Sequence, residues 1–148
     1  MNKQDKIIKI DSYLRVAKTS FIWNFYNKED VYYELFLPTD VGELTVTIFI
    51  EDSPYTLITC IVDDFWSDEK LHDYYTLASN WMVSSDILRV IVNRDSKLIL
   101  FSYTYTASEN FFDSESLFSM ADNLVKKVLE TCLPELKGEE AVNSEPNN

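Results

Sequence analysis

The sequence predicts an α+β domain on a mainly antiparallel sheet, in the order helix, three or four strands, helix, two strands, helix. Three observations lead there. The run ELTVTIFIE (43–51) alternates strictly, with Leu44, Val46, Ile48 and Ile50 on one face, the period-2 pattern of a strand. The β-rich runs of the middle are joined by turns of a few polar residues, too short for the crossovers that parallel strands need. Three further segments repeat apolar residues at helical spacing.

Along the chain, residues 5–18 place Ile7, Ile8, Ile10, Leu14 and Ala17 at helical spacing among Lys and Asp, giving a first amphipathic helix. FIWNFY (21–26) leads to the polar turn Asn27-Lys28-Glu29-Asp30. VYYELFLP (31–38) is β-branched and aromatic and closes on Pro38. TDVG (39–42), with one of only two glycines, turns the chain into ELTVTIFIE; Asp52-Ser53-Pro54 turns it again into YTLITCIV (55–62).

DDFWSDEK (63–70) is read as the junction of a strand and a helix. Leu71, Tyr74, Tyr75, Ala78 and Trp81 or Met82 then recur at helical spacing. Ser67 is the expected N-cap, Asp68 and Glu69 suit the positive end of the helix dipole, and Phe65 or Trp66 packs on the first turns as a staple. ILRVIVN (87–93), a turn at Arg94-Asp95-Ser96 and KLILFSYTY (97–105) form a hairpin. After a loop, Asp113 or Ser114 caps a last helix over about 115–133, with Leu117, Met120, Ala121, Leu124, Val128 and Cys132 inward and Pro134 as its terminator. Residues 1–136 are expected to form one domain, and the polar stretch 137–148 a disordered acidic tail.

The 148 residues are 46% hydrophobic and 14% aromatic, enough for a sizeable core. A net charge of −12 speaks against a nucleic-acid backbone or an anionic lipid surface as partner. The N-terminal residues lack the pattern of a signal peptide, and no run approaches a membrane span. Cys60 and Cys132 read as small buried hydrophobes in a reducing compartment, so the cytoplasm is expected.

Catalytic chemistry is not expected. Gly42 and Gly138 alone cannot build a phosphate-cradling loop or a dinucleotide fingerprint. The sole histidine, His72, sits among charges on a predicted helix surface, and no His/Cys cluster has zinc spacing. The acids of 63–69 lack the spacing and glycine of a calcium loop. No metal, cofactor or catalytic residue is therefore assigned.

The strands instead suggest binding. In KLILFSYTY one face carries Ile99, Phe101, Tyr103 and Tyr105; in VYYELFL, Tyr32, Glu34 and Phe36 oppose Val31, Tyr33, Leu35 and Leu37. A sheet with one solvated face alternates between apolar and polar. Here both faces carry apolar residues, more than three helices are expected to cover, so an intermolecular surface is expected. The candidate contact residues are Phe36, Trp81, Phe101, Tyr103 and Tyr105.

The stretch from LHDYYTLASNWM through DILRVIVNRDSKLILFSYTY to SLFSMADNLVKKVLETCLPEL resembles the YbjN-like and type III secretion chaperone-like domains, over roughly residues 5–136. The few glycines and the aromatic segment at 21–26 depart from that pattern. The resemblance implies a non-enzymatic binding domain, often dimeric, that holds an extended segment of a client polypeptide; it carries over no catalytic residue. The expected function is thus a homodimeric chaperone-like or regulatory protein-binding module. The alternative expectation is a monomeric acidic immunity- or inhibitor-type protein. It would mask a basic partner through Asp63, Asp64, Asp68, Glu69, Asp113 and Glu115.

Overall fold

The computed structural model describes residues 2–39, 42–62, 65–84, 88–107 and 111–136. Helix α1 (Lys3–Val16) is followed by strands β1 (Asn24–Asn27), β2 (Val31–Pro38), β3 (Glu43–Ile50) and β4 (Tyr55–Val62). Helix α2 (Leu71–Ser84), strands β5 (Arg89–Asn93) and β6 (Leu98–Thr106), and helix α3 (Ser114–Lys127) complete the chain order. The six strands form one antiparallel sheet in the order β1-β2-β3-β4-β6-β5. The stretches 63–64 and 137–148 lie outside the described residues.

Register explains which face is buried. Val31, Tyr33 and Leu35 of β2 pair with Ile50, Ile48 and Val46 of β3, and the same rows continue through Ile58 and Cys60 to Tyr103 and Phe101. All of these are buried beneath α1 and α3. The alternation of ELTVTIFIE thus holds across every hairpin, because a two-residue period allows only one face per register.

Helix α1 is anchored in a way its apolar spacing does not suggest. Its inward positions are Ile10 and Lys6, while Ile8 is 56% exposed. Lys6 is only 1% exposed. Its ammonium donates to the carbonyls of Glu51 (2.7 Å) and Ser53 and lies 5.8 Å from the centre of the Phe112 ring. Burial holds its pKa below the usual lysine range. The backbone N–H of Lys3 donates to Asp52 Oδ1 at 2.7 Å, so the first turns of α1 are pinned to the β3–β4 turn. Lys6→Ala removes the stem and leaves two carbonyls unpaired. It is expected to lower unfolding free energy by about 2–4 kcal/mol, and Lys6→Met by about half of that, both read by urea titration.

The strand-to-helix junction is an aromatic cluster. Trp66 and Phe65 pack on Tyr74 at ring distances of 4.7 and 5.4 Å, the staple expected there. Ser67 does not cap through its hydroxyl; its backbone N–H donates to the Tyr74 hydroxyl. Trp66 Nε1 donates to Asp68. A single 3₁₀ turn, Asp68–Lys70, leads into α2.

Helix α3 is capped by Asp113, which accepts from the Glu115 N–H (3.1 Å) and the Ser116 hydroxyl (2.6 Å). These hydrogen bonds, that from Ser116 foremost, hold the Asp113 carboxyl below its ordinary range. The expectation that Pro134 ends the helix is corrected. The chain widens into a π turn at Val128–Cys132 and continues as a last helical turn, α4 (Leu133–Leu136). The Leu133 N–H reaches back five residues to the Val128 carbonyl. Proline offers no N–H and crowds the carbonyl four residues before it. Widening the turn ahead of Pro134 lets Leu133 and Leu136 stay in the core. Cys60 and Cys132 are buried free thiols.

Candidate functional site

Two surfaces of the sheet remain open. The first is a groove of about 520 Å3 between α1 and the β1 edge. Ile7, Ile8 and Leu14 form its helical wall; Trp23, Phe25 and Tyr33 form its floor; Gln4, Asp11 and Arg15 rim it. Asp11 and Arg15 make an ion pair of 2.7 Å on the exposed flank of α1. Phe118 supports the floor from below. Trp23 and Tyr33 meet it edge-on at 5.6 and 6.2 Å, and Tyr13 stacks on it at 5.7 Å.

The groove is unfinished as a piece of core. Phe25 is 46% exposed. The Trp23 indole N–H is buried and meets no acceptor among the described residues, a costly state for a donor. Burial, with Asp11 nearby, pushes the Tyr33 phenol up to about 12. Strand β1 is also the sheet's edge, so its outward N–H and C=O groups face no neighbouring strand.

The second surface is the sheet face away from α1 and α3. Cross-strand register sorts its middle into three rows. One runs Tyr26, Tyr32, Phe49, Leu57, Thr104; the next Asn24, Glu34, Thr47, Thr59, Ser102, Arg89; the third Phe36, Thr45, Ile61, Leu100, Ile91. Two apolar rows thus flank a polar one that carries an acid near one end and a base at the other. Tyr26 and Tyr32 stack at 5.1 Å, and Tyr32 meets Phe49 at 6.0 Å. At the β5 end, Tyr75 and Met82 of α2 overhang Leu57, Ile91 and Leu100, enclosing about 760 Å3.

The sequence-derived contact candidates divide between these environments. Phe36 is exposed, in the third row of the sheet face away from α1 and α3. Trp81 is half-buried on α2, with the Lys127 ammonium 5.1 Å from its ring centre. Phe101, Tyr103 and Tyr105 are corrected: all three are buried under the helices. The Tyr105 hydroxyl accepts the Asp113 N–H, and its ring meets Phe112 edge-on at 5.6 Å. The helices cover the face on which every strand is apolar, and these three residues belong to that face. The groove residues Ile8, Trp23 and Phe25 were missed; the aromatic density of FIWNFY was the one signal for Trp23 and Phe25.

Of the six acids expected on a basic partner, Asp68 and Asp113 are engaged in internal hydrogen bonds. Asp63 and Asp64 lie outside the described residues. His72 is exposed on α2. Among the described residues no group of three His, Cys, Asp or Glu side chains is gathered to hold a metal ion, and no helix is long and apolar enough to cross a membrane. Compared with protein-family models and with curated proteins, the chain has no match.

Proposed function

We propose that this chain is a non-enzymatic protein-binding module, chaperone-like or regulatory, that acts as a homodimer and holds an extended segment of another polypeptide. The α1–β1 groove carries this reading. An extended segment laid beside β1 pairs with the outward backbone groups of the edge strand, as in β-augmentation. Its alternate side chains then enter the groove over Trp23 and Phe25, and a backbone carbonyl can meet the orphaned indole N–H. The order helix, four strands, helix, two strands, helix supports assignment to a type III secretion chaperone-like or YbjN-like fold.

Selection from a phage-displayed dodecapeptide library tests this reading. Selected peptides should bind with micromolar affinity, shift the NMR signals of residues 22–27, and slow amide exchange in β1. Phe25→Asp, with unchanged circular dichroism, should weaken them about tenfold or more, since an exposed aromatic anchor is removed. Recovery of no peptide, or binding indifferent to Phe25→Asp, overturns the groove assignment. If the selected peptides are instead rich in Lys and Arg and dissociate steeply with added salt, the reading becomes a monomeric acidic protein masking a basic partner.

A further inference from the structure

We propose that the sheet face away from α1 and α3 is the homodimer interface, with Glu34 of one copy pairing with Arg89 of the other about a two-fold axis parallel to the strands. This rests on the homodimeric part of the function proposed above and gives it a surface.

Charge decides where two copies can meet. Each chain carries −12, so most surfaces of one copy repel the other. The three rows contain one acid and one base, Glu34 and Arg89; the next row, Pro38–Glu43, adds a second acid, so this face holds far less of the negative charge than the chain's −12. Glu34 and Arg89 occupy the same polar row. Glu34 is on β2, one strand from the β1 edge, and Arg89 is on β5, the opposite edge. Neither has an ion-pair partner among the described residues, and burial already raises the Glu34 carboxyl pKa.

That arrangement is self-complementary in one orientation. A two-fold axis along the strands, between β3 and β4, lays β2 over β6 of the second copy and β1 over its β5. Glu34 then faces Ser102 of the second copy, and that copy's Arg89 lies one strand, about 4.8 Å, to the side across the ~10 Å between packed sheets, a gap two long side chains can bridge. An axis along the rows instead stacks Glu34 on Glu34, a like-charge contact that costs affinity. The favoured orientation also sets apolar rows on apolar rows. The Tyr26–Tyr32 stack of each copy comes to the end where α2 of the other overhangs its sheet.

The area suffices. The six strands run from four residues in β1 to nine in β6, and at about 4.8 by 3.3 Å per residue they make a face of about 670 Å2. Covering most of it buries about 500–600 Å2 per copy, which for the pair reaches the ~1,000 Å2 total that a specific interface needs.

Sedimentation equilibrium of the wild type, Glu34→Arg, Arg89→Glu, the double exchange and Phe36→Asp tests the arrangement. The wild type should be dimeric. Each single reversal should raise the dimer dissociation constant at least tenfold, and the double exchange should return it to within about threefold of wild type. Phe36→Asp should leave a folded monomer. A dimer indifferent to these variants overturns this interface and leaves the homodimer reading standing. Weakening by both single reversals without rescue overturns the Glu34–Arg89 pairing. A wild type monomeric up to hundreds of micromolar removes both the interface and the homodimer, while peptide capture at the α1–β1 groove is read separately by NMR.

Discussion

Phe118→Ala is expected to lower the free energy of unfolding by about 3–5 kcal/mol, in the range of large-to-small aromatic deletions. Phe118 is 1% exposed and is the hub on which Tyr13, Trp23 and Tyr33 rest. Those three rings come from α1, the segment before β1, and β2, so one truncation loosens three elements at once. Since a domain's net stability is only about 5–15 kcal/mol, the variant should approach the folding limit. Urea titration should show a lower midpoint at an unchanged slope. Phe118→Leu, which keeps much of the volume, should lose only about 1–2 kcal/mol. A loss below about 1 kcal/mol for the alanine variant would mean that α3 is not seated on this cluster.

Alkaline pH is expected to have an effect of similar size. Burial pushes the Cys132 thiol up to about 12, with Glu135 nearby adding to the shift. Burial raises Cys60 further still, and its neighbour Cys132 adds to that. The unfolded chain releases its thiol protons near pH 9, whereas the folded chain retains them. Stability is therefore intact below about pH 9 and falls as pH climbs toward 12, where folding must oppose thiolate formation. At 1.36 kcal/mol per pH unit for each thiol, the two together cost about 4 kcal/mol by pH 10.5. Tyr33 adds to the fall above pH 10. Tyr13, also raised by burial, acts in the same sense, and Lys6, whose pKa is lowered, works in the opposite sense as one group against four. Under a thiol reductant, the Cys60→Ala/Cys132→Ala variant should be less stable at pH 7 yet lose much less between pH 7 and 10.5. Parallel pH profiles for variant and wild type would show that the thiols do not govern the decline.

What the sequence made legible follows from period. The runs 31–38, 43–51 and 55–62 coincide with β2, β3 and β4 to within a residue, because alternation and turn residues agree there. Strand β1 is four residues long with no alternation in its burial, so nothing in FIWNFY marked it as a strand. Lys6 was illegible for another reason. A lysine reads as surface, and its acceptors lie 45 and 47 residues further along. Which sheet face takes the helices was readable in principle. Leu44, Val46, Ile48 and Ile50 face away from Thr45 and Thr47, and register carries that choice to Phe101, Tyr103 and Tyr105. Their rings are large enough to serve as contacts, but register turns them under the helices. The open groove could not be read at all, since it depends on where α1 lies across the sheet.

The anchoring of α1 also sets an order of events during synthesis. The first helix leaves the ribosome before any strand, yet the groups that fasten it, the carbonyls of Glu51 and Ser53 and the carboxylate of Asp52, emerge only with the turn after β3. Its other support, Phe118 beneath Tyr13, comes later still. A fourteen-residue helix is marginal in water on its own. Of the described elements, α1 precedes all the strands and is therefore among the last to lock. Until then its apolar side is available to whatever waits at the tunnel exit.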